Sequence, residues 1–287
     1  MKHEKAASPR TSAIPLVLCG AAAALFTLEG LLRDSDAYDF PFVGYGGAFG
    51  LLHLRVFGIR IYVVMMMLGA VGAFRCVWAR RRAYGLTDRQ ALSLWLACLG
   101  IGAVGGLAFE MIQKRTFFTT NVSTLGGIFL LAALMPLFSK YILKKDVWQI
   151  YALCLMAGLR FIIVVRLGCF MNGCCGAAPL YINGRTVILP VQLYECFCLL
   201  AIQAALIHAE RRGRLPDMAI IGFCPMYGAC RFLLEYLREW PRVWLGMTRA
   251  QLVILAYMLI YAAVAALYLA LKGPRGQLLR RKDGERP

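Results

Sequence analysis

Eight stretches of this sequence are apolar enough and long enough to cross a bilayer, and that feature excludes most folds at once. A hydrocarbon core of roughly 30 Å takes about 20 helical residues at about 1.5 Å each. The windows are residues 13–33, 57–78, 91–110, 123–143, 148–170, 191–208, 217–238 and 250–271. Hydrophobic residues make up 60% of the 287-residue chain. That is more than a soluble domain of this size can hide, so lipid must cover the surplus. Backbone N–H and C=O groups find no water in hydrocarbon, so the spanning segments must be helices. The expected class is therefore all-α, a polytopic integral membrane helical bundle of about eight transmembrane helices. No connection is long enough for a separate domain. The chain divides into a cytoplasmic N-terminal segment with the first helix (1–37), a membrane domain (38–271) and a basic tail (272–287).

A net charge of +17 raises the question of nucleic acid. Its distribution answers it. With a cytoplasmic N-terminus, the inside segments hold 20 of the 32 basic residues, among them Arg75, Arg80, Arg81, Arg82 and Arg89. The same side takes Lys140, Lys144 and Lys145, then Arg211, Arg212 and Arg214, and the tail from Lys272 to Arg286. This is the positive-inside bias, and it places both termini in the cytoplasm. The basic face suits anionic membrane lipids, and no nucleic-acid partner is expected. Residues 1–33 share the basic start and apolar centre of a signal peptide. Glu29 and the following "LEGLLRDSD" offer no small-x-small cleavage site, and Leu18 of "LVLCGA" stands where a lipobox has a small residue. A retained first helix is expected.

Of the eleven cysteines, eight fall in or beside apolar helices, where cysteine serves as a small hydrophobe. Cys169, Cys174 and Cys175 cluster at the outer boundary. With three histidines and no paired CxxC or HExxH spacing, neither a metal nor another cofactor is expected.

Charges inside a membrane segment are costly, so they mark candidate sites. The window 148–170 carries Arg160 near its middle and Arg166 near its outer end, six residues and about 240° apart. In "FCPMYGACRFLLEYLREW", Tyr227, Arg231, Glu235 and Arg238 recur at helical spacing on one face. Such a ladder can be a self-neutralised network that holds the bundle together, since opposite charges four apart attract. "LPVQLYE" opens the next-lower window with Gln192, Tyr194 and Glu195, after Pro190 in a first-turn position. Tyr62 begins another window at the same depth, and Gly126 and Gly127 of "STLGGIF" open a fourth. Small residues there allow close helix approach. These features gather toward the outer leaflet. Arginines beside tyrosines and an asparagine, opening to lipid, suit a phosphate headgroup. The sequence holds no phosphate loop of the nucleotide-binding kinds.

Three motifs in order resemble the phosphatidylglycerol–prolipoprotein diacylglyceryl transferases of bacterial inner membranes. "RLGCFMNGCCG" resembles the family signature R-[IL]-G-N-F-[IL]-N-G, "PVQLYE" its H-P-S-Q-L-Y-E, and "YGACRFLLEYLRE" its Y-G-x-x-R-x-x-x-E-x-x-R. "IRIYVVMMMLG", "STLGGI" and "MTRAQLVIL" are weaker matches, so the resemblance covers roughly residues 38 to 270. It implies a seven-helix core to which the first helix is an addition. It also implies transfer of a diacylglyceryl group from phosphatidylglycerol to the lipobox cysteine of a preprolipoprotein signal peptide, releasing glycerol 1-phosphate. In that scheme Arg166, Arg231 and Glu235 are catalytic: Arg166 holds the phosphate, Arg231 assists it, and Glu235 orients an arginine. The substrate shell comprises Tyr62, Asn172, Gly173, Gly176, Gln192, Tyr194, Glu195, Tyr227, Gly228 and Arg238, with Gly126 and Gly127. The site faces the outer leaflet of the inner membrane.

The departures concern the thiol side. The family's H-G-G-L histidine is Leu125 here, its H-P-S-Q histidine is Leu189, the first signature asparagine is Cys169, and an arginine after the third-helix Gly-Gly is Leu107. A base, if needed, falls to Glu110, Glu195 or Tyr62. Two alternatives stay open: the same phospholipid donor with another acceptor, or an inactive lipid- or partner-binding membrane protein. No inverted repeat or broken midplane helix supports a transporter.

Overall fold

The computed structural model describes residues 43–44, 47–48, 55–56, 59–117, 124–171, 179–182, 185–238 and 242–284. Among them are seven helices long and apolar enough to cross a membrane. They are α1 (Ile61–Arg80), α2 (Asp88–Lys114), α3 (Thr124–Leu137), α4 (Val147–Met171), α5 (Val191–Arg211), α6 (Leu215–Glu235) and α7 (Arg249–Gly284). All seven fall on expected windows, and the helical membrane class is as expected. The first window, residues 13–33, lies outside the described residues.

Local chemistry sets several helix ends. The Thr87 hydroxyl accepts from the Gln90 backbone N–H at 3.2 Å while Gln90 Oε1 accepts from the Thr87 N–H at 3.0 Å, a reciprocal cap that starts α2. Arg115 ends the same helix in the left-handed conformation at φ 52°. Pro136 removes a backbone donor near the end of α3, which runs on as a π-helical turn, Phe138–Leu143, with Ser139 Oγ donating to the Met135 carbonyl at 2.7 Å. Within α6 a second π turn, Met218–Gly222, precedes the regular Phe223–Glu235.

Short antiparallel hairpins fill loops. β1 (Val43–Gly44) pairs with β2 (Gly47–Ala48), β3 (Arg55–Val56) with β4 (Ile59–Arg60), and β7 (Arg242–Trp244) with β8 (Met247–Thr248). The longest joins β5 (Pro179–Ile182) to β6 (Arg185–Ile188), with Ile182 opposite Arg185. An all-helical expectation passed over it, although "YINGRTV" carries the Asn-Gly signal of a two-residue hairpin loop.

The fold comprises two compact units, one within Pro41–Cys174 and the other within Cys175–Pro287. In the first, α1 packs on α4, α2 on α3, and α1 beside α2. The α2–α3 contact is backbone against backbone: a Cβ on Gly105 would lie 2.6 Å from the Gly126 carbonyl oxygen, and one on Gly127 would lie 2.8 Å from that of Gly102. Apolar helices in lipid gain little from the hydrophobic effect, so close approach of this kind carries their association. Trp95 adds an indole hydrogen bond to the Ala70 carbonyl at 3.0 Å. In the second unit α6 packs against both α5 and α7. Tyr261 and Tyr268 of α7 reach the Ala219 carbonyl at 2.9 Å and Asp217 Oδ1 at 2.7 Å, which fixes the start of α6.

Candidate functional site

The second unit gathers four charged side chains in one cluster, three buried and one half-buried. On α6, Arg231 Nη1 lies 3.1 Å from Glu235 Oε2, one turn on. Arg238 Nε approaches the same oxygen at 3.8 Å. Glu195 enters from α5: its Oε2 accepts from Arg238 Nη2 at 3.2 Å, and its Oε1 accepts from the Tyr227 hydroxyl at 3.3 Å and lies 3.9 Å from Arg231 Nε. Two arginines thus face two glutamates, and the group is neutral as a whole. The ladder inferred from spacing is one continuous network, completed by a carboxylate from the neighbouring helix.

Its members differ in access. The Glu195 and Glu235 side chains are 1% exposed and Arg238 is 4% exposed, whereas Arg231 is 15% exposed. Three members are closed off, and Arg231 keeps partial exposure although its Nη1 is buried. Charges removed from water are tolerable when paired and hydrogen-bonded, and breaking such a pair typically costs about 3–5 kcal/mol. Both carboxylate oxygens of Glu195 are engaged, which makes it the anchor of two arginines.

The geometry of Arg238 depends on how α6 ends. The Tyr236 N–H goes to the Leu233 carbonyl at 3.1 Å, Leu237 to Leu234 at 3.2 Å, and Arg238 to Glu235 at 3.2 Å. Three successive bonds to residue i−3 make a 3₁₀ turn, in which side chains three apart eclipse. Arg238 is thereby stacked over Glu235 and brought to Glu195. The expected window ran to residue 238, but the α-helix stops at Glu235 because of this tightening. Gln251 of α7, fully buried, donates from Nε2 to the Phe232 carbonyl at 3.1 Å, inside the same turn. Neither Gln251 nor its partner Thr248 was anticipated as part of this arrangement. The signal was present as Thr-x-x-Gln, and Gln251 Oε1 does accept from the Thr248 N–H at 2.9 Å.

In the first unit Arg166 is buried at 9% exposure near the end of α4, beside buried Gly168 and Cys169. Gly168 lets α1 close in: a Cβ there would meet Met65 Cβ at 2.7 Å and the Tyr62 ring at 3.7 Å. Tyr62 and the Arg166 segment therefore share one end of the α1–α4 pair. Arg160, further back, is half-buried.

The remaining expected residues are distributed as follows. Gln192 is buried and Tyr194 half-buried in the first turn of α5. Gly228 is buried with the Met258 sulfur 2.7 Å from where a Cβ would stand, so its bareness serves the α6–α7 contact. Gly126 and Gly127 turn their bare faces to α2, and helix packing accounts for both. Asn172, Gly173 and Gly176, with Cys174 and Cys175, lie outside the described residues. Among the described residues, no three His, Cys, Asp or Glu side chains are grouped to hold a metal ion.

A family model described as prolipoprotein diacylglyceryl transferase matches residues 50–268, which include the clustered charges, Arg166 and Tyr62. The chain is also similar to proteins named phosphatidylglycerol–prolipoprotein diacylglyceryl transferase from the bacterium Dehalococcoides mccartyi. It is 21% identical over 225 residues to those of strains BAV1 and CBDB1, covering 70% of this chain and 86% of each relative. For strain 195 the identity is 22% over 221 residues, covering 68% and 84%. The matched span takes in all seven described membrane helices, with α7 matched as far as residue 268, and with it the neutral Arg–Glu cluster. This chain belongs to the prolipoprotein diacylglyceryl transferase family, as a divergent enzyme of that membrane-embedded class.

Proposed function

We propose that the chain moves the diacylglyceryl group of phosphatidylglycerol to the sulfur of a lipobox cysteine in a preprolipoprotein, at the outer leaflet of a bacterial inner membrane. A carbon–sulfur bond forms from the thiolate as the carbon–oxygen bond to phosphate breaks, and the electron pair leaves on the phosphate oxygen of glycerol 1-phosphate. Charge therefore grows on phosphate in the transition state, where a fixed guanidinium stabilises it more than it does the bound diester. Arg166 takes that role in the first unit. In the second, the same chemistry falls to Arg231, held by Glu235 and Glu195 and the most exposed of the four clustered charges. The observation that carries the reading is this difference in access within a neutral, buried cluster on the motif residues.

The test is a reconstituted assay with purified protein, phosphatidylglycerol liposomes and a synthetic lipobox peptide, read by mass spectrometry. The peptide should gain a diacylglyceryl mass, and both Arg166→Ala and Arg231→Ala should abolish the gain in folded protein. Full activity in either variant would remove that arginine from the mechanism.

A second reading is favoured by Leu125 and Leu189, which stand where the family motifs carry histidine. It keeps the phospholipid donor and changes the acceptor. Release of glycerol phosphate with no modified peptide would select it, and absence of both products from folded protein would reduce the chain to a lipid binder.

A further inference from the structure

We propose that Gln251 is a positioning residue of this enzyme: its amide holds the 3₁₀ end of α6 and through it aims Arg238 at Glu195. The inference rests on the reading of the Arg–Glu cluster as part of the transferase site.

The observation begins with a buried primary amide on a membrane helix. Gln251 has no exposed surface, and its two ends do different things. Oε1 accepts from the Thr248 N–H at 2.9 Å, and Thr248 Oγ1 accepts from the Gln251 N–H at 3.2 Å, an ordinary reciprocal cap for α7. Nε2 is not required for that cap. It crosses to the Phe232 carbonyl of α6 at 3.1 Å.

Phe232 is the residue whose carbonyl a regular α-helix would give to Tyr236. Here the Tyr236 N–H turns to Leu233, one residue nearer, and starts the 3₁₀ turn. The two hydrogen bonds are alternatives for one stretch of backbone. By supplying a donor to the Phe232 carbonyl, Gln251 stabilises the 3₁₀ form. Without it, that carbonyl sits in an apolar setting and is best satisfied by Tyr236, which returns the turn to α geometry. An α-helix turns about 100° per residue and a 3₁₀-helix about 120°. Over Tyr236, Leu237 and Arg238 the difference accumulates to about 60°. A rotation of that size carries the Arg238 guanidinium out of line with Glu235 and off Glu195, to which it now donates at 3.2 Å. Glu195 also sets Arg231 and Tyr227, so the displacement reaches the partly exposed cation of the cluster.

The contact is therefore more than a packing detail, and the distinction can be measured. Gln251→Leu keeps volume and removes both hydrogen bonds; Thr248→Ala weakens the α7 cap and leaves the amide on Phe232. Arg238→Ala and the double variant Arg238→Ala/Gln251→Leu complete a mutant cycle, which isolates coupling between residues that act through one another. In the full-length protein in phosphatidylglycerol liposomes, Gln251→Leu should lower kcat on the order of 10- to 100-fold, as misplacement by about 1 Å can. Thr248→Ala should keep the wild-type kcat. The double variant should be no slower than Arg238→Ala alone. If Gln251→Leu does not purify folded, Gln251→Asn asks the same question with the amide one methylene short of Phe232.

A Gln251 defect that multiplies that of Arg238→Ala would overturn the proposal, as would a wild-type kcat in folded Gln251→Leu. Wild-type turnover in Arg238→Ala would instead remove the cluster from the active machinery. That outcome sinks the underlying reading together with the proposal, and it is visible in the single variant alone.

Discussion

Replacing Gly126 by alanine separates the two roles open to the Gly-Gly pair of α3. The new Cβ would lie 2.2 Å from Phe109 Cβ and 2.4 Å from the Gly105 carbonyl oxygen. Neither neighbour is the far end of a flexible chain, so no rotamer change relieves the clash. Carbon atoms rest about 3.5–4.0 Å apart, which requires α2 and α3 to separate by about 1.5 Å. A gap of 0.5–1 Å already forfeits roughly a quarter to a half of each dispersion contact, and association in lipid has little else to draw on. The expected loss is about 2–3 kcal/mol. Gly158 is the control, since a Cβ there meets nothing within 4 Å; Gly158→Ala should stay within about 0.5 kcal/mol of the parent. Unfolding in mixed micelles by SDS titration, followed by circular dichroism, measures both. If Gly126→Ala matches Gly158→Ala in stability yet loses transferase activity, the packing argument is wrong and the glycine serves the substrate.

Glu195→Gln should cost about 3–5 kcal/mol, because buried Arg238 loses its 3.2 Å carboxylate partner and keeps only the 3.8 Å approach to Glu235; the same titration reads it, and a loss below about 1 kcal/mol would mean that Glu235 alone satisfies that arginine. The sulfurs of Cys98 on α2 and Cys154 on α4 lie 3.7 Å apart. Copper–phenanthroline oxidation of the full chain should therefore join proteolytic fragments carrying these two residues, and fragments that stay separate in a folded sample would contradict the α2–α4 juxtaposition.

The seven apolar windows from residue 57 onward were legible because membrane length and hydropathy act on single segments. The stripe of Tyr227, Arg231, Glu235 and Arg238 was legible for a similar reason, since helical spacing alone aligns them. Its end was not. Arg238 reaches its place through a 3₁₀ turn that a glutamine on the following helix supports, and no local pattern in "LLEYLREW" states that preference. The partner of the stripe was half-legible: Glu195 sat at the right depth, but which oxygen met which arginine needed the α5–α6 packing. The Gly-Gly pair shows the opposite limit. Close approach was expected of small residues, while the identity of the facing backbone, Gly102 and Gly105, is a property of tertiary structure. The β5–β6 hairpin is signalled by the Asn-Gly of "YINGRTV", a local pattern that apolar helix periodicity does not register.

The cluster also decides between the two meanings that a charged ladder in a membrane can have. A purely structural network asks only that its charges cancel, so removing a balanced pair should do little harm. Buried ion pairs replaced by apolar side chains of similar volume are often neutral or even stabilising by about 1–4 kcal/mol. Arg231 and Glu235 form such a pair at 3.1 Å, and their removal leaves Arg238 with Glu195, still balanced. Arg231→Met/Glu235→Leu should therefore fold and withstand SDS about as well as the parent. If the Arg231 guanidinium meets the phospholipid phosphate, that stable protein will transfer no diacylglyceryl group. A stable and active double variant would show that the ladder holds helices together and nothing else. A variant too unstable to purify would show that Glu235 supports Arg238 more than its 3.8 Å contact implies. Stability with inactivity is the result expected, because Arg231 is the one member of the cluster that keeps partial exposure, 15% against 1–4% for the other three.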